Sequence, residues 1–320
     1  MKILIDYDLN DKYIEQIRKA VPEGEIVKAE NREKQEEEIV DTNVLISFMG
    51  FPLDILQHEE NMKWIQCWSA GVDSFTEPDY VSYLKDNNIL LTNMSGIHKN
   101  AMADHTFGFI INFSRRFCEM KDLQRNNKWE VLRVGQLEGK TMAVIGLGSI
   151  GQEIADRGKA FKMRVIGVKR NIDQNLKNVD QLFSPEKLHE VLRQADFVVS
   201  IVPLTAETEM MFGVDEFKAM KDSAYFINMA RGEVVNEPEL IKALRNDNIA
   251  GAGLDVFMEE PLPEDSPFYS LDNVFVTPHM GGKFPDYNKK GIKIFMENLK
   301  KYREGNFENM INLVNYDLGY

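Results

Sequence analysis

The sequence predicts an α/β protein built from two doubly wound domains, one inserted into the other. Three observations predict this fold. Short apolar strands alternate with helical stretches over residues 1–100, the same alternation resumes over residues 141–277, and a glycine-rich turn directly follows the first strand of the second block. Alternating strands and helices form parallel sheets that are covered by helices. We therefore expect residues 1–100 and 286–320 to form one domain and residues 101–285 the inserted one.

The first domain is predicted from four strands and two helices in its N-terminal part. The strands are short runs rich in branched and aromatic residues, and the helices carry apolar residues at helical spacing. The strands are Lys2–Ile5, Val44–Phe48, Trp64–Trp68 and Ile89–Thr92, and the helices are Asp11–Ala20 and Asn31–Ile39. A further helix at Asp286–Glu304 leads into a polar tail and completes this domain.

The inserted domain opens with a long apolar helix. Residues 101–125 contain no Pro and a single Gly, and their apolar positions are dense enough for a buried helix or for a subunit interface. Six strands follow, at Thr141–Ile145, Arg164–Val168, Phe197–Val202, Ala224–Asn228, Ala250–Asp255 and Val274–Val276. Six strands with helical crossovers match a doubly wound dinucleotide-binding fold.

Composition and charge exclude several classes of function. The chain is 43% hydrophobic and 28% charged with a net charge of −13, whereas nucleic-acid binding requires a cationic surface. No apolar run approaches the ~18–20 residues that span a membrane, and the N-terminus lacks the apolar core of a signal peptide. Cys67 and Cys118 form no CxxC pair, which favours a reducing compartment. We expect a cytoplasmic protein without nucleic-acid or membrane partners.

The glycine-rich turn has the spacing of a pyrophosphate-binding turn. It reads Gly146-Leu147-Gly148-Ser149-Ile150-Gly151. The first glycine permits the tight turn, the second lets a pyrophosphate approach the backbone, and the third lets the helix pack on the strand. The helix N-terminus presents free N–H groups to the phosphates. All of these residues except Leu147 are therefore predicted to bind a dinucleotide. The alternative is that this is a glycine-rich strand–helix turn that binds no ligand.

The residues after the second strand of this domain predict which cofactor binds. An NAD-binding fold usually has an acidic side chain there, which binds the ribose 2′-hydroxyl. This chain has Lys169 and Arg170 instead, and these cations can pair with a 2′-phosphate. NADP(H) is therefore favoured. NAD(H), or the use of both cofactors, is the alternative if the two cations point into water.

Three polar residues follow three successive strands of the inserted domain. Arg231 comes after the fourth strand, Glu260 after the fifth and His279 after the sixth. Ligands of open parallel sheets bind at the carboxyl ends of the strands, so these side chains can converge on one crevice. Arg231 can hold a carboxylate and polarise a neighbouring ketone. His279 can exchange a proton with the ketone oxygen, and Glu260 would favour its charged form.

Each of these residues also has a structural alternative. Glu260 can be a surface carboxylate, Arg231 an ion-pair partner, and His279 a hydrogen-bonded turn residue. The other four histidines lack a metal-ligand spacing such as HExxH, so they are interpreted as structural and no metal is predicted.

The chain resembles the D-isomer-specific 2-hydroxyacid dehydrogenases, a family that includes glyoxylate/hydroxypyruvate reductases, D-lactate dehydrogenases and phosphoglycerate dehydrogenases. The matching segments occur in the expected order along essentially the whole chain. They are Ser69–Asp73, Ala103–His105, Gly146–Gly151, Pro203–Thr208, Asn228–Gly232, Gly253–Pro261 and Thr277–His279. A Rossmann dinucleotide domain inserted in a flavodoxin-like substrate domain is then the expected fold, with NAD(P)-dependent chemistry at a CH–OH group. The resemblance also implies a homodimer.

The resemblance implies a role for individual residues. Arg231, Glu260 and His279 are the implied catalytic residues, and Arg231 and His279 also contact the substrate. The backbone of Ala70 and Gly71 is implied to bind the substrate carboxylate. Further residues are implied to line the cofactor, and Asp255 among them binds the nicotinamide amide. These residues are Pro203, Thr208, Met229, Ala230, Asp255 and Gly281.

The chain departs from the family's pattern at two positions. Asp104 stands where the family often has Glu, which is a conservative change. Lys169 stands where the NAD-selecting acid is expected. The second departure puts the use of NAD in doubt, but not the reaction.

The expected substrate is a small 2-oxo or D-2-hydroxy acid, and reduction of glyoxylate, hydroxypyruvate or a branched analogue is favoured. Met49, Gly50 and Phe51 are candidates for contacting the substrate's side chain, with core packing as an equal alternative. A non-enzymatic dinucleotide sensor, as in corepressors that resemble this family, is the main rival. Such a sensor would not need residues like Arg231 and His279.

Overall fold

A computed structural model of the chain shows two compact α/β units, each built on a parallel sheet. It describes residues 1–29, 31–173 and 175–317. One unit consists of Met1–Ile97 and Phe284–Tyr320, and the other of His98–Lys283. The two parallel-sheet units confirm the predicted fold class, and the unit boundaries lie a few residues before the predicted ones. The last three residues of the predicted tail lie outside the described part.

The strands of the described residues form a five-stranded and a seven-stranded sheet. The first unit contains β1 (Lys2–Asp6), β2 (Glu25–Lys28), β3 (Val44–Ser47), β4 (Trp64–Cys67) and β5 (Leu90–Thr92). The second unit contains β6 (Thr141–Ile145), β7 (Arg164–Val168), β8 (Gln181–Phe183), β9 (Phe197–Ser200), β10 (Tyr225–Asn228), β11 (Gly251–Leu254) and β12 (Val274–Val276). Neighbouring strands in both sheets pair in parallel.

Helices connect these strands. The first are α1 (Asp11–Ala20), α2 (Arg32–Glu38), α3 (Leu53–Leu56) and α4 (Pro78–Asp86). The second unit contains α5 (Lys99–Arg115), α6 (Phe117–Arg125), α7 (Ser149–Ala160), α8 (Leu188–Leu192), α9 (Val214–Ala219) and α10 (Glu237–Arg245), and α11 (Tyr287–Arg303) returns to the first unit. No helix among the described residues is both long enough and apolar enough to cross a bilayer.

The strand order of each sheet reverses at one point. The first sheet has the order β2-β1-β3-β4-β5, so the reversal lies between β1 and β3. The second has the order β12-β11-β10-β9-β6-β7-β8, with the reversal between β6 and β9. These are the flavodoxin-like and Rossmann orders, the latter with one added strand. In such sheets ligands bind outside the carboxyl ends of the strands, next to the reversal.

Successive side chains of the first sheet point into two different cores. Ile3, Ile5 and Val44 pack with α1 and α11 on one face. Leu4 and Leu45 pack with α3 and α4 on the other face. Because neighbouring residues of a strand point to opposite faces, a sheet covered on both sides requires uninterrupted apolar runs. This requirement explains why these strands could be recognised in the sequence.

The sequence-based prediction missed two strands, the helices α3 and α4, and one helix break. β2 and β8 are sheet-edge strands with exposed or half-buried positions, so they lack a continuous apolar run. The helix predicted over residues 101–125 is divided into α5 and α6 at Arg116, whose φ of +56° is left-handed. Phe48 and Trp68 were included in predicted strands, but they lie just beyond the ends of β3 and β4.

Candidate active site

The glycine-rich turn connects β6 to α7. Gly146 has a φ of +101°, which side chains disfavour, and a Cβ on Gly151 would lie 2.0 Å from the carbonyl oxygen of Gly146. A Cβ on Gly148 would meet no atom within 4 Å, so the space beside the helix N-terminus is open. Ser149 and Ile150 begin α7 at this space, and no side chain caps the helix. The turn therefore fits a dinucleotide phosphate.

Lys169 and Arg170 follow β7 beside this turn. Nζ of Lys169 donates to the carbonyl oxygen of Leu147, within the turn, at 3.3 Å. Arg170 is exposed, and its Nη1 lies 3.8 Å from Oε2 of Glu207 in the loop after β9. Two cations therefore adjoin the turn, together with a carboxylate that was not considered in the sequence-based prediction.

His279 and Glu260 form a direct pair. Nδ1–H of His279 donates to Oε2 of Glu260 at 2.7 Å, and Oε1 of the same carboxylate accepts from the N–H of Phe257 at 3.0 Å. The carboxylate thereby fixes the orientation of the imidazole and keeps a proton on Nδ1. Within the described part of the chain, Nε2 of His279 has no hydrogen-bond partner. The side chain is 42% exposed, so Nε2 is free to exchange a proton with a bound molecule.

Other carboxylates lie near Glu260. The side chain of Glu237 accepts from the N–H of Met258 at 2.8 Å. Burial raises the pKa of the Glu237 carboxyl, the N–H of Met258 opposes that shift, and the charges of Glu233 and Glu260 add to it.

Arg231 follows β10 on a loop that packs directly on the loop after β11. A Cβ at Gly232 would lie 1.9 Å from the carbonyl carbon of Phe257, so only glycine permits this approach of two backbones. Asn228 orders the Arg231 loop, because its Nδ2 donates to the carbonyl oxygen of Arg231 at 2.9 Å and its Oδ1 accepts from the N–H of Ala230 at 3.0 Å. Arg231 itself donates from Nη1 to the carbonyl oxygen of Ala230 at 2.7 Å.

Asp255 holds the loop that carries His279. Its side chain is 2% exposed. Oδ1 accepts from the hydroxyl of Thr277 at 2.6 Å and from the N–H of Met280 at 3.0 Å, while Oδ2 accepts from the N–H of Gly281 at 2.8 Å. The N–H of His279 also donates to the carbonyl oxygen of Asp255 at 2.8 Å. The left-handed φ of +45° at His279 is thus held by hydrogen bonds on both sides.

The remaining residues predicted to line the cofactor also lie after strands of the second sheet. The hydroxyl of Thr208 donates to the carbonyl oxygen of Pro203 at 2.6 Å and shapes the loop after β9. Met229 and Ala230, after β10, are only 1% and 2% exposed. A Cβ on Gly281 would lie 2.4 Å from Cε of Met229. Glycine therefore lets the His279 loop pack on the Met229 side chain.

Ala70 and Gly71 lie in the first unit, in the loop after β4. Nδ2 of Asn93 donates to the carbonyl oxygen of Ala70 at 3.0 Å. The hydroxyl of Ser69 donates to the carbonyl oxygen of Gly71 at 2.5 Å. Among residues 1–29, 31–173 and 175–317 the N–H groups of Ala70 and Gly71 have no acceptor. Adjacent unpaired N–H groups of this kind can bind an anion.

The three candidates for the substrate's side chain have different environments. Phe51 is 5% exposed and belongs to the core, so packing explains it. Gly50 contributes its carbonyl oxygen to a hydrogen bond from the hydroxyl of Ser47. Met49 is 54% exposed, and of the three it is the one whose side chain can reach a ligand.

The sequence-based analysis missed several contacts at this site. Nε2 of His105 lies 2.9 Å from the hydroxyl of Thr277 and thereby extends the Asp255 network. Away from the site, His189 of α8, interpreted as structural, pairs with Glu216 of α9 at 2.8 Å. In the described part of the chain, no three His, Cys, Asp or Glu side chains come together in a way that could hold a metal ion.

The two sheets, the glycine-rich turn and the His279–Glu260 pair define the class of protein. They are the parts expected of an oxidoreductase that uses a nicotinamide dinucleotide, namely a turn that fits a pyrophosphate and a histidine paired with a carboxylate.

Comparison with known proteins identifies the family. Residues 107–281 match the model of the D-isomer specific 2-hydroxyacid dehydrogenase, NAD binding domain. A glyoxylate reductase from Pyrococcus furiosus is 33% identical over 286 residues, which cover 86% of this chain and 83% of that protein. A D-3-phosphoglycerate dehydrogenase from Methanocaldococcus jannaschii is 32% identical over 320 residues, which cover 98% of this chain and 60% of that protein.

A solved structure shows the same relationship. The D-isomer specific 2-hydroxyacid dehydrogenase family protein from Aeromonas salmonicida has a TM-score of 0.89 and 30% identity, with 99% of each chain covered. The chain belongs to the D-isomer specific 2-hydroxyacid dehydrogenase family, as its motifs predict. It is an NAD(P)-dependent oxidoreductase of the CH–OH group.

Proposed function

We propose that this enzyme reduces a small 2-oxo acid, such as glyoxylate or hydroxypyruvate, to the D-2-hydroxy acid with NADPH. The proposal depends on one observation, the 2.7 Å hydrogen bond between Nδ1 of His279 and Oε2 of Glu260. The pair lies at the carboxyl edge of a sheet whose glycine-rich turn fits a dinucleotide. A protein that only senses a dinucleotide has no need of a carboxylate-oriented proton donor there.

The proposed proton donor is His279. When bound, a reduced nicotinamide supplies the hydride that the carbonyl carbon accepts. His279 gives a proton from Nε2 to the ketone oxygen as C=O becomes C–OH, and it takes the proton back in the oxidative direction. Glu260 stabilises the imidazolium before the transfer and keeps Nδ1 protonated, so that Nε2 is the nitrogen that exchanges the proton.

The proposed substrate anchors are cationic and amide groups. Arg231 pairs with the carboxylate and polarises the ketone, since its guanidinium can donate to two oxygens at once. The N–H groups of Ala70 and Gly71 are proposed to bind the same carboxylate. The net charge of −13 does not attract an anion, so these local donors have to supply the attraction.

The proposed cofactor preference is for NADPH over NADH. Lys169 and Arg170 supply positive charge beside the turn for a 2′-phosphate. Glu207, 3.8 Å from Arg170, lowers that positive potential. We therefore expect a preference rather than exclusive use of NADPH.

Other residues of the second unit are proposed to hold the cofactor or the catalytic loop. Asp255 positions His279 through the backbone of residues 279–281, in addition to its predicted role towards the nicotinamide amide. The proposed lining residues are Gly146, Gly148, Ser149, Ile150, Gly151, Pro203, Thr208, Met229, Ala230 and Gly281.

The protein is also proposed to act as a cytoplasmic homodimer. Large apolar side chains are exposed on α6 and the segment that follows it, where Trp129 is 99% and Val131 is 95% exposed. A second copy of the chain would bury such a surface.

The proposed location in the cytoplasm is supported by the cysteines. Cys67 and Cys118 are both free thiols, which is the usual state in a reducing compartment.

The proposal is tested by assaying glyoxylate and hydroxypyruvate with NADPH and with NADH in parallel. His279→Gln should lower kcat by about 10²- to 10⁴-fold, because general acid catalysis contributes that much. The Kd for NADPH should change little, since the imidazole does not hold the cofactor.

His189→Gln is the matched control for this test. His189 pairs with Glu216 at 2.8 Å and its side chain is 46% exposed. His279 pairs with Glu260 at 2.7 Å and its side chain is 42% exposed, so the two histidines have similar environments. This variant should keep the wild-type kcat. If the wild-type protein binds NADPH and reduces no 2-oxo acid, it is a sensor and not a reductase. If His279→Gln loses NADPH binding and turnover equally, the histidine has a structural role.

A further inference from the structure

His105 lies on α5 where this helix packs closely on the second sheet. A Cβ on Gly253 of β11 would lie 2.7 Å from Cγ of Phe109, so glycine lets the helix approach the strand. The ring of Phe109 meets the ring of His105 edge-on, with the centroids 5.0 Å apart. Residues four apart lie on the same face of a helix. This face therefore holds the imidazole beside Asp255, which directly follows β11.

The hydrogen bonds of Asp255 fix the position of each proton in this group. Its buried carboxylate accepts from the N–H groups of Met280 and Gly281. Oδ1 also accepts from the hydroxyl of Thr277 at 2.6 Å. Because that hydroxyl has only one proton, it accepts at its other contact, the 2.9 Å hydrogen bond with Nε2 of His105. Nε2 therefore carries a proton, and a second proton on the imidazole can bind only at Nδ1.

His105 can take up that second proton without breaking the chain of hydrogen bonds. Its side chain is 21% exposed, and in the part of the chain that the structure describes Nδ1 has no hydrogen-bond partner. Histidine is the side chain that ordinarily changes charge between about pH 5 and pH 8. The charged imidazole lies 3.6 Å from Oδ1 of Asp255, measured from Nε2. At that distance its charge offsets the charge of the carboxylate.

Other ionisable groups around α5 have partners of their own. They are the pairs Lys99–Glu153 at 3.3 Å and Asp104–Arg157 at 2.9 Å, which join α5 to α7, and the pair His279–Glu260 at 2.7 Å after β12. Tyr225 of β10 stacks on Phe113, two turns of α5 beyond His105. Within residues 1–29, 31–173 and 175–317, Asp255 is the one carboxylate within 4 Å of His105. A charge on His105 therefore acts first on Asp255.

We infer that His105 sets the selectivity of the enzyme between oxidised and reduced cofactor, because it controls the net charge at Asp255. The inference rests on the proposed function, in which Asp255 binds the nicotinamide amide. The nicotinamide ring is a cation in NADP⁺ and neutral in NADPH. While His105 is neutral, the carboxylate attracts the cationic ring and favours NADP⁺. Once His105 is charged, this attraction is offset, so NADP⁺ binds less tightly as the pH falls and NADPH does not.

His105 acts through Asp255, so binding and not turnover is the measurement that tests it. The Kd of NADPH is measured by fluorescence titration and that of NADP⁺ by displacement, at about pH 5.5 and about pH 8.5, on either side of the range in which histidine titrates. The starting protein is His279→Gln, which removes the titration of the proposed catalytic imidazole. The 2′-phosphate titrates near pH ~6, but it is common to both cofactors and cancels in the ratio of their Kd values.

The ratio of Kd for NADP⁺ to Kd for NADPH should be higher at the lower pH, on the order of 10-fold. His105→Gln, added to the starting protein, should abolish this change, because the Gln amide can donate to Thr277 but takes up no proton. His189→Gln is the matched control, because His189 also pairs with a carboxylate of the same unit, that of Glu216 at 2.8 Å. The control should keep the full change of the ratio with pH.

Two results would overturn the inference and leave the reductase intact. One is a ratio that does not change with pH in the starting protein, and the other is an unaltered change after His105→Gln. If His105→Gln is not folded, proton release decides, since NADP⁺ should release more protons than NADPH on binding to the starting protein at about pH 6.5. Equal release by the two cofactors overturns the inference. A wild-type protein that binds neither cofactor would instead overturn the proposed function.

Discussion

At the scale of single residues, the proposed cofactor choice depends on charges that lie close together in space, although Glu207 is far from Lys169 and Arg170 in sequence. Lys169 donates to the turn itself, and Arg170 is near Glu207. A 2′-phosphate would gain from both cations and would be repelled by the carboxylate. The proposed preference for NADPH would therefore depend on a balance of three side chains.

This balance leads to a prediction for a double variant. Lys169→Asp combined with Arg170→Ser should shift the ratio of kcat/KM for NADPH to that for NADH towards NADH by about 10²- to 10⁴-fold. Two charge-assisted hydrogen bonds are lost, each worth ~1.5–3 kcal/mol, and the new carboxylate can bind a 2′-hydroxyl. The measurement is steady-state kinetics with each cofactor.

The control is Lys187→Asp combined with Arg193→Ser. It makes the same change in net charge at exposed positions of the same unit. Its cofactor ratio should equal that of the wild type. A double variant at 169 and 170 that also keeps the wild-type ratio would show that neither cation reaches the cofactor.

The site residues that could be predicted from sequence are those that lie within or next to a local motif, such as the end of a recognisable strand. Arg231, Glu260 and His279 each follow a recognisable strand of the parallel sheet, and the structure pairs His279 with Glu260. The stacking of Tyr7 on Phe48 could not be predicted, because no local pattern joins residues on separate strands. The same holds for Asn288, which reaches Tyr7 and Trp68 from a helix near the other end of the chain.

At the scale of elements, the β6–turn–α7 segment separates two reasons for a glycine. At Gly151 a Cβ would strike the backbone of Gly146 at 2.0 Å, whereas at Gly148 it would meet no protein atom within 4 Å. Gly151 is therefore required by the fold, whereas Gly148 is not. We attribute the glycine at position 148 to the close approach of a ligand.

Alanine at the two positions should therefore have opposite effects. Gly151→Ala should lower the free energy of unfolding by about 1–3 kcal/mol, as overpacking does. Gly148→Ala should leave the free energy of unfolding nearly unchanged but raise the Kd for NADPH by ~10-fold, a loss of ~1.4 kcal/mol. Denaturant unfolding and calorimetric titration measure the two quantities. A Gly148→Ala protein that binds NADPH normally would exclude this glycine from the phosphate site.

The strands that were predicted correctly and those that were missed differ in the continuity of their apolar runs. β6 and β9 are buried at every position, and the edge strand β12 is apolar throughout although it is only half-buried. β2 and β8 are edge strands with polar residues at one or both ends, which interrupts such a run. The break at Arg116 was also not predictable, because an arginine in left-handed conformation has no sequence signature comparable to a glycine.

At the scale of the whole molecule, the exposed apolar side chains of residues 117–131 predict self-association. Phe117 is 52% exposed, and Trp129 and Val131 are almost fully exposed. Equilibrium sedimentation should give twice the 36.8 kDa mass of the chain. Trp129→Asp combined with Val131→Asp should shift the mass towards that of the single chain, because buried unpaired charge is costly.

Tyr269→Asp is the control for the dimer prediction. Tyr269 is 58% exposed and lies outside this surface, so its replacement should leave the sedimenting mass unchanged. A wild-type protein that sediments at 36.8 kDa at micromolar concentration would contradict the proposed homodimer.

The contrast among the three tryptophans has a spectroscopic consequence. Trp64 and Trp68 have no exposed surface, whereas Trp129 is 99% exposed. Iodide, which cannot enter the core, should therefore quench only the emission of Trp129. If a second copy covers that indole, its emission should shift to shorter wavelength and become resistant to iodide as protein concentration rises. The chain thus carries its own fluorescent reporter of assembly, and it needs no added label.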